Sequence, residues 1–263
     1  MISKLSYLHT LEDELYEKIM DNIPFCEEIM HNFINYDEKI RKPDLLGKTV
    51  QVTEKQFKNI FDIINRLSYK SNITPPKCFV YEDFYYGVES KGIGEPWIEI
   101  SAKTLQDFTE DELCFLIGKE LCSIKLNHTQ TYTMINEFLS AAASSNILGS
   151  DTIAKSYKVM LYKWCRVSNY SSDCYGYLMS RSLPQSISAI LKLVLNNSYL
   201  AGNIDLIEYI KQAEKINELD DNIYNYTKLD EQVPYAPYRI KNLLSYASSE
   251  RGIAALKDTW REE

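Results

Sequence analysis

The stretch Leu116 to His128, LIGKELCSIKLNH, holds the side chains best spaced for chemistry. Leu116, Ile117, Leu121 and Ile124 recur at helical spacing, so a helix with a buried face is expected. Lys119, Glu120 and Ser123 fall within about one turn of it. In a zinc site of the H-E-x-x-H kind, two histidines four residues apart share one helix face and the glutamate between them is the general base. Glu120 stands at the glutamate position, but Lys119 and Ser123 stand where the histidines would be. Two metal-free chemistries use these residue types. Lys119 and Ser123 have the i, i+4 spacing of a Ser-Lys dyad, although a lysine paired with carboxylates keeps a high pKa and makes a poor base. Cys122 could act as a nucleophile with a lysine lowering its pKa, but it reads better as a buried, inert thiol.

The histidines argue against a metal elsewhere. The chain has only His9, His31 and His128, and no two are four apart. His128 lies five residues past Ser123, which on a continuous helix turns it mostly away; a surface or edge position is expected. Glu27 and His31 have i, i+4 spacing beside Cys26 and read as a helix-surface pair. The six cysteines form no C-x-x-C pair, and reduced thiols are expected.

Composition narrows the class further. The chain has 263 residues, 45% hydrophobic and 25% charged, as in an ordinary globular protein. A net charge of -8 without a block of lysine or arginine gives no reason to expect nucleic acid or an anionic membrane as partner. No apolar run is long enough to cross a bilayer, and the acidic N-terminal stretch does not resemble a secretory leader. A cytoplasmic protein without membrane insertion is the expectation.

The elements around the motif read as follows. Residues 8–34 are expected to be helical with an interruption at Pro24, and residues 42–52 to form a turn and a short strand. Thr53 with Gln56 suggests a capping box for a helix carrying Phe57, Ile60, Phe61, Ile63 and Ile64. Two prolines lead into a strand, Lys77–Tyr81, and PWIEIS, residues 96–101, alternates as a strand should. Thr109 with Glu112 is a second capping box, opening the motif helix. After a Gly/Ser/Ala-rich link come a long helix over about 151–182 and three more helical segments. The class is α+β, mainly helical, with a small sheet.

Five segments in order carry a resemblance. They are LLGKTVQVTEKQF, the PP-x-x-x-V strand entry with YYGVESKGIGEPWIEIS, DELCFLIGKELCSIKLNH, WCRVSNYSSD and VPYAPYRIKNL. Together the chain resembles the soluble bacterial members of the CAAX-prenyl-protease/HtpX-like family of zinc metallopeptidases, from about Leu45 onward. The resemblance implies a single zincin-like domain over 1–263, with 1–44 as an N-terminal helical extension and 45–250 as the family-like core. It implies a small sheet beside the motif helix. It also implies that Lys119, Ser123 and Asn169 occupy the three former metal-ligand positions, that Glu120 is a vestigial general base, and that Asp173 is the former partner of a metal-bound histidine. The family's late histidine is Val233 here, whereas Asp111, Glu112, Leu113, Gly118, Trp164, Arg166, Asp173 and Arg239 match.

Lysine, serine and asparagine do not make a normal zinc site. The expected metal and cofactor are therefore none, and the Lys119 ammonium is expected to take the metal's place, paired with Asp173 and also with Glu120. The expected function is that of a catalytically inactive homologue, a pseudo-peptidase, binding a peptide or protein partner through the former substrate cleft. The alternatives are a peptide hydrolase with an altered or unusual-metal mechanism, and a structural or assembly subunit with a vestigial cleft. The expected peptide-binding edge is PWIEIS, with Trp97, Ile98, Glu99 and Ile100, and the loop GVESKGIGE is the expected flap. Cys122, Val233 and Arg239 are further cleft candidates. The partner's identity and the oligomeric state are not legible.

Overall fold

The computed structural model describes residues 2–22, 28, 31, 32, 34, 38–144, 150–219 and 221–261. The break expected at Pro24 and the pairing of Glu27 beside Cys26 lie outside these residues. The described helices are α1 (Glu12–Asn22), α2 (Glu38–Lys48), α3 (Lys58–Ser71), α4 (Ala102–Asp107), α5 (Glu110–Lys125), α6 (His128–Ser144) and α7 (Ser150–Ser180). They continue with α8 (Leu183–Leu195), α9 (Ser198–Ala201), α10 (Leu206–Glu218), α11 (Asn222–Leu229), α12 (Ala236–Ser248) and α13 (Glu250–Thr259). The strands are β1 (Val50–Gln51), β2 (Lys77–Tyr81), β3 (Val88–Lys91) and β4 (Trp97–Ser101). The protein is α+β and mainly helical.

The strands form one mixed sheet in the order β1-β2-β4-β3. β4 runs parallel to β2, with Cys78 opposite Ile98, and antiparallel to β3, with Ser90 opposite Ile98. β4 is therefore an inner strand, paired on both sides. PWIEIS is not the open edge: that edge is β3, built from the first half of the segment expected to be a flap. The burial of β4 explains its place. Ile98 and Ile100 are fully buried in the main core, as suits an inner strand, while Glu99 faces the other way.

Two local expectations change. Residues 42–48 finish a helix instead of making a turn. Thr53 and Gln56 do not cap α3; they exchange backbone hydrogen bonds of 2.9 and 3.1 Å. The helix starts at Lys58, after Phe57 in the left-handed region at φ 55°, with no side-chain cap. Pairing the backbone groups of Thr53 and Gln56 with each other satisfies donors that a capping box would otherwise have served.

The second capping box is present. The Thr109 hydroxyl accepts from the Glu112 N–H at 3.4 Å, and the Glu112 carboxylate accepts from the Thr109 N–H at 2.7 Å. Glu112 also takes the Lys192 ammonium at 2.7 Å, tying the start of α5 to α8. Thr109→Ala is expected to cost about 1 kcal/mol, read as a lower urea midpoint with unchanged slope.

α5 and α7 are the central pair, and α5 also lies along β3. Their main core includes Ile60, Leu67, Ile98, Ile100, Phe115, Ile117, Leu121, Tyr175 and Ile240. A second core joins α1, α6 and the first half of α7 through Leu15, Ile19, Ile135, Leu161 and Trp164. The N-terminal residues are integral to this packing: Ile2 and Tyr7 belong to the main core and Ile19 to the second. Among the described residues no helix is long and apolar enough to cross a membrane.

Candidate functional site

The crossing of α5 over α7 places Lys119 against Asp173. Lys119 Nζ lies 2.6 Å from Asp173 Oδ1, and both side chains are buried. Arg239, from α12, joins them. Its Nε donates to Asp173 Oδ2 and its Nη2 to Asp173 Oδ1, each at 2.8 Å. The expected Lys119–Asp173 pair is thus present, and Arg239 completes a triad. Burial would raise the Asp173 pKa, but Arg239 and Lys119 reverse this and bring it from 3.8 to about 2. Burial pushes Lys119 below the usual lysine range, helped by repulsion from Arg239 and opposed by Asp173.

Glu120 does not complete the expected lysine pair. Its Oε2 accepts from both the Ser90 N–H and the Ser90 hydroxyl, each at 2.7 Å. The Ser90 N–H points outward from the edge strand, so Glu120 ties the motif helix to that edge. Burial raises the Glu120 pKa, against the lowering pull of Ser90 and Lys119.

These groups border an open cleft of about 690 Å³. Lys119, Glu120, Ser123, Asn169, Val233 and Arg239 all line it, so residues from α5, α7, α12 and the segment before α12 meet in space. Trp97 and Glu99 line the strand side beside Ser90, whereas Ile98 and Ile100 belong to the core. The Trp97 indole and Lys91 both donate to Glu99, at 2.7 and 2.9 Å. Asp173 lies behind Lys119 and Arg239. Cys122 is fully buried in the main core and does not line the cleft; burial drives its thiol pKa well up, which corrects its place among the cleft candidates.

The Ser-Lys dyad is not assembled either. The Ser123 hydroxyl donates to the Lys119 carbonyl at 3.1 Å, one turn back, while Nζ is committed to Asp173. Asn169 donates to the Tyr132 hydroxyl at 2.9 Å and to the Cys165 carbonyl at 3.0 Å. Lys119, Ser123 and Asn169 therefore do not fit a zinc ion: one carries a positive charge bound to an anion, and the others are already engaged in the helices. Among the described residues no three His, Cys, Asp or Glu side chains come together as a metal site.

His128 is not at the surface. α5 ends at Lys125 and α6 begins at His128, so the continuous-helix geometry does not apply. The His128 ring is buried against Trp164, with its Nε2 2.6 Å from Glu12 Oε1 and its Nδ1 3.4 Å from Ser172 Oγ. Ser171 accepts from the His9 N–H at 2.8 Å and donates to the other Glu12 oxygen. The Glu12 carboxylate, shared by His128 and Ser171, fastens α1 to α6 and α7. Sequence reasoning missed Glu12, Ser90 and Tyr132. No periodic pattern links Glu12 to His128, which is 116 positions away. An acidic residue in a helix's first turn ordinarily reads as a solvated end.

No family model, curated protein or solved structure matches the chain. The fold and the cleft define an α+β protein with a buried Lys-Asp-Arg triad at the floor of a cleft.

Proposed function

We propose that the protein is a cytoplasmic pseudo-peptidase: a zincin-like, HtpX-type scaffold, inactive as a zinc peptidase, that holds a peptide or a segment of a protein partner in the former substrate cleft. The observation that carries the reading is the convergence of Lys119, Glu120, Ser123 and Asn169 in one cleft beside the β3 edge of the sheet, with Lys119 bound to Asp173. An ammonium held there by Asp173 and repelled by Arg239 opposes a second cation. Without a metal to polarise a carbonyl and acidify water, Glu120 loses most of its use as a base. Peptide capture needs none of that chemistry, because an extended chain can add to a sheet edge through main-chain hydrogen bonds. The edge is β3, where Val88 shares the outward register of Ser90.

The test combines metal content with peptide binding. Purified protein is expected to hold no stoichiometric zinc, to bind members of a fluorescent peptide library saturably, and to leave them uncut by mass spectrometry. Val88→Pro, which removes an edge N–H, is expected to weaken binding at least about tenfold. Stoichiometric zinc with chelator-sensitive cleavage would overturn the reading, and so would the absence of any saturable peptide binding.

A further inference from the structure

We propose that the cleft floor is a carboxylate-binding site, in which the Lys119 ammonium and Nη1 of Arg239 receive a carboxylate of the bound peptide. The inference rests on the peptide-binding reading and names the chemical group by which the cleft holds its occupant.

The hydrogen-bonded triad has two cations for one anion. Lys119 is 8% exposed and Arg239 6%, and both line the cleft. Asp173, fully buried behind them, receives three hydrogen bonds from the pair. These use one of the three Nζ hydrogens of Lys119, and the Nε and Nη2 groups of Arg239. Arg239 Nη1 has no hydrogen-bond partner among the described residues. Donors of both cations are thus left over at a place too enclosed for full hydration.

Glu120 attracts Lys119 through space but makes no hydrogen bond to either cation, and its Oε2 is turned to Ser90 on the edge strand. A guanidinium keeps its proton, so the surplus charge is relieved either by loss of the Lys119 proton or by an incoming anion. Burial, with repulsion from Arg239 added to it, holds the Lys119 pKa below the usual lysine range. A carboxylate restores the balance and makes charge-assisted bonds to both groups, which gain strength in a partly desolvated site.

A carboxylate fits better than a phosphate. Only one charge is in surplus within the triad, and Glu99 and Glu120 line the same cleft. A dianion would meet their repulsion.

The carboxylate has two possible sources, a free peptide C-terminus or an internal Asp or Glu. Three fluorescein-labelled hexapeptide pools separate them: one without acidic residues and ending in a free acid, the same pool ending in an amide, and an amide pool with one internal Glu. Anisotropy titrations use the full chain at neutral pH. At least one acid-bearing pool is expected to bind roughly ten- to a hundredfold more tightly than the neutral amide pool, and the preferred pool names the source. In Lys119→Met and in Arg239→Lys, each checked by thermal unfolding, that advantage is expected to shrink to roughly twofold. Equal binding of all three pools to the wild-type protein would overturn the carboxylate site and leave peptide capture standing. No binding by any pool would overturn both. The comparison among pools on unaltered protein needs no variant to fold.

Discussion

Asp173→Ala is expected to destabilise the protein by roughly 3–5 kcal/mol, because it leaves buried cations without their anion. At the usual sensitivity of a domain of this size, the midpoint of thermal unfolding falls by roughly 6–20 °C. The loss comes from stranding Lys119 and Arg239, so it should depend on their charge. Adding Lys119→Met to Asp173→Ala removes one stranded cation and is expected to recover part of the loss, a coupling that a double-mutant cycle measures. A single-variant loss under about 1 kcal/mol would mean that water reaches the triad and solvates it.

The same carboxylate sets a pH dependence. Its folded pKa of about 2 lies below the ordinary 3.8. A depressed folded value stabilises the fold fully above the ordinary pKa, and that stabilisation disappears as pH falls through the folded value. Asp173 therefore contributes about 2 kcal/mol that is lost between about pH 4 and pH 2. Urea unfolding across pH 5 to 2 should show this slope in the wild type and lack it in Asp173→Asn.

The second large effect is expected at the helix crossing that brings the triad together. A Cβ on Gly176 would lie 2.6 Å from the Phe115 carbonyl oxygen and 2.9 Å from Lys119 Cγ. A Cβ on Gly118 would lie 2.7 Å from Met179 Cβ and 3.2 Å from the Gly176 Cα. The two helices touch nearly backbone to backbone, and a carbonyl on a helix cannot swing aside as a flexible side chain can. In a free helix, Gly→Ala is favourable by about 1 kcal/mol. Here the sign is expected to reverse. Gly176→Ala should cost roughly 1–3 kcal/mol by overpacking and Gly176→Val about 3 kcal/mol or more, read by thermal or urea unfolding. Because α5 and α7 carry Lys119 and Asp173, the forced separation should also weaken the proposed peptide capture. A neutral or stabilising Gly176→Ala would show that the helices can part without loss.

The pattern of apolar residues was enough to place the motif helix, the capping box at Thr109, the strands Lys77–Tyr81 and Trp97–Ser101 and the long helix α7, since each is specified by local periodicity or local hydrogen bonds. Strand order was not local. Alternation in PWIEIS marked a strand, yet it could not tell an inner strand from an edge, because that depends on which partners the sheet supplies on either side. The short β3, in a segment whose glycines and proline read locally as a loose connection, took the edge. His128 illustrates the same limit. Spacing along one helix turned it outward, but the helix ends at Lys125, and a carboxylate from α1 meets it inside.

The residue types at 119, 123 and 169 were decided by the sequence alone: a cation, a hydroxyl and an amide, a set poorly suited to zinc however the chain folds. The charge on Lys119 also required an anion, since a buried ammonium without one is too costly to keep. Only the tertiary structure decided which anion and with what company. Asp173 was reachable because two glycines let α5 and α7 close, and Arg239 arrived from a helix more than sixty positions further along the chain. Glu120, adjacent to Lys119 in sequence, was turned to Ser90 by an edge strand that the motif itself does not encode. Charge demand is written in single residues, whereas the satisfaction of that demand depends on distances between segments that only the packed fold sets.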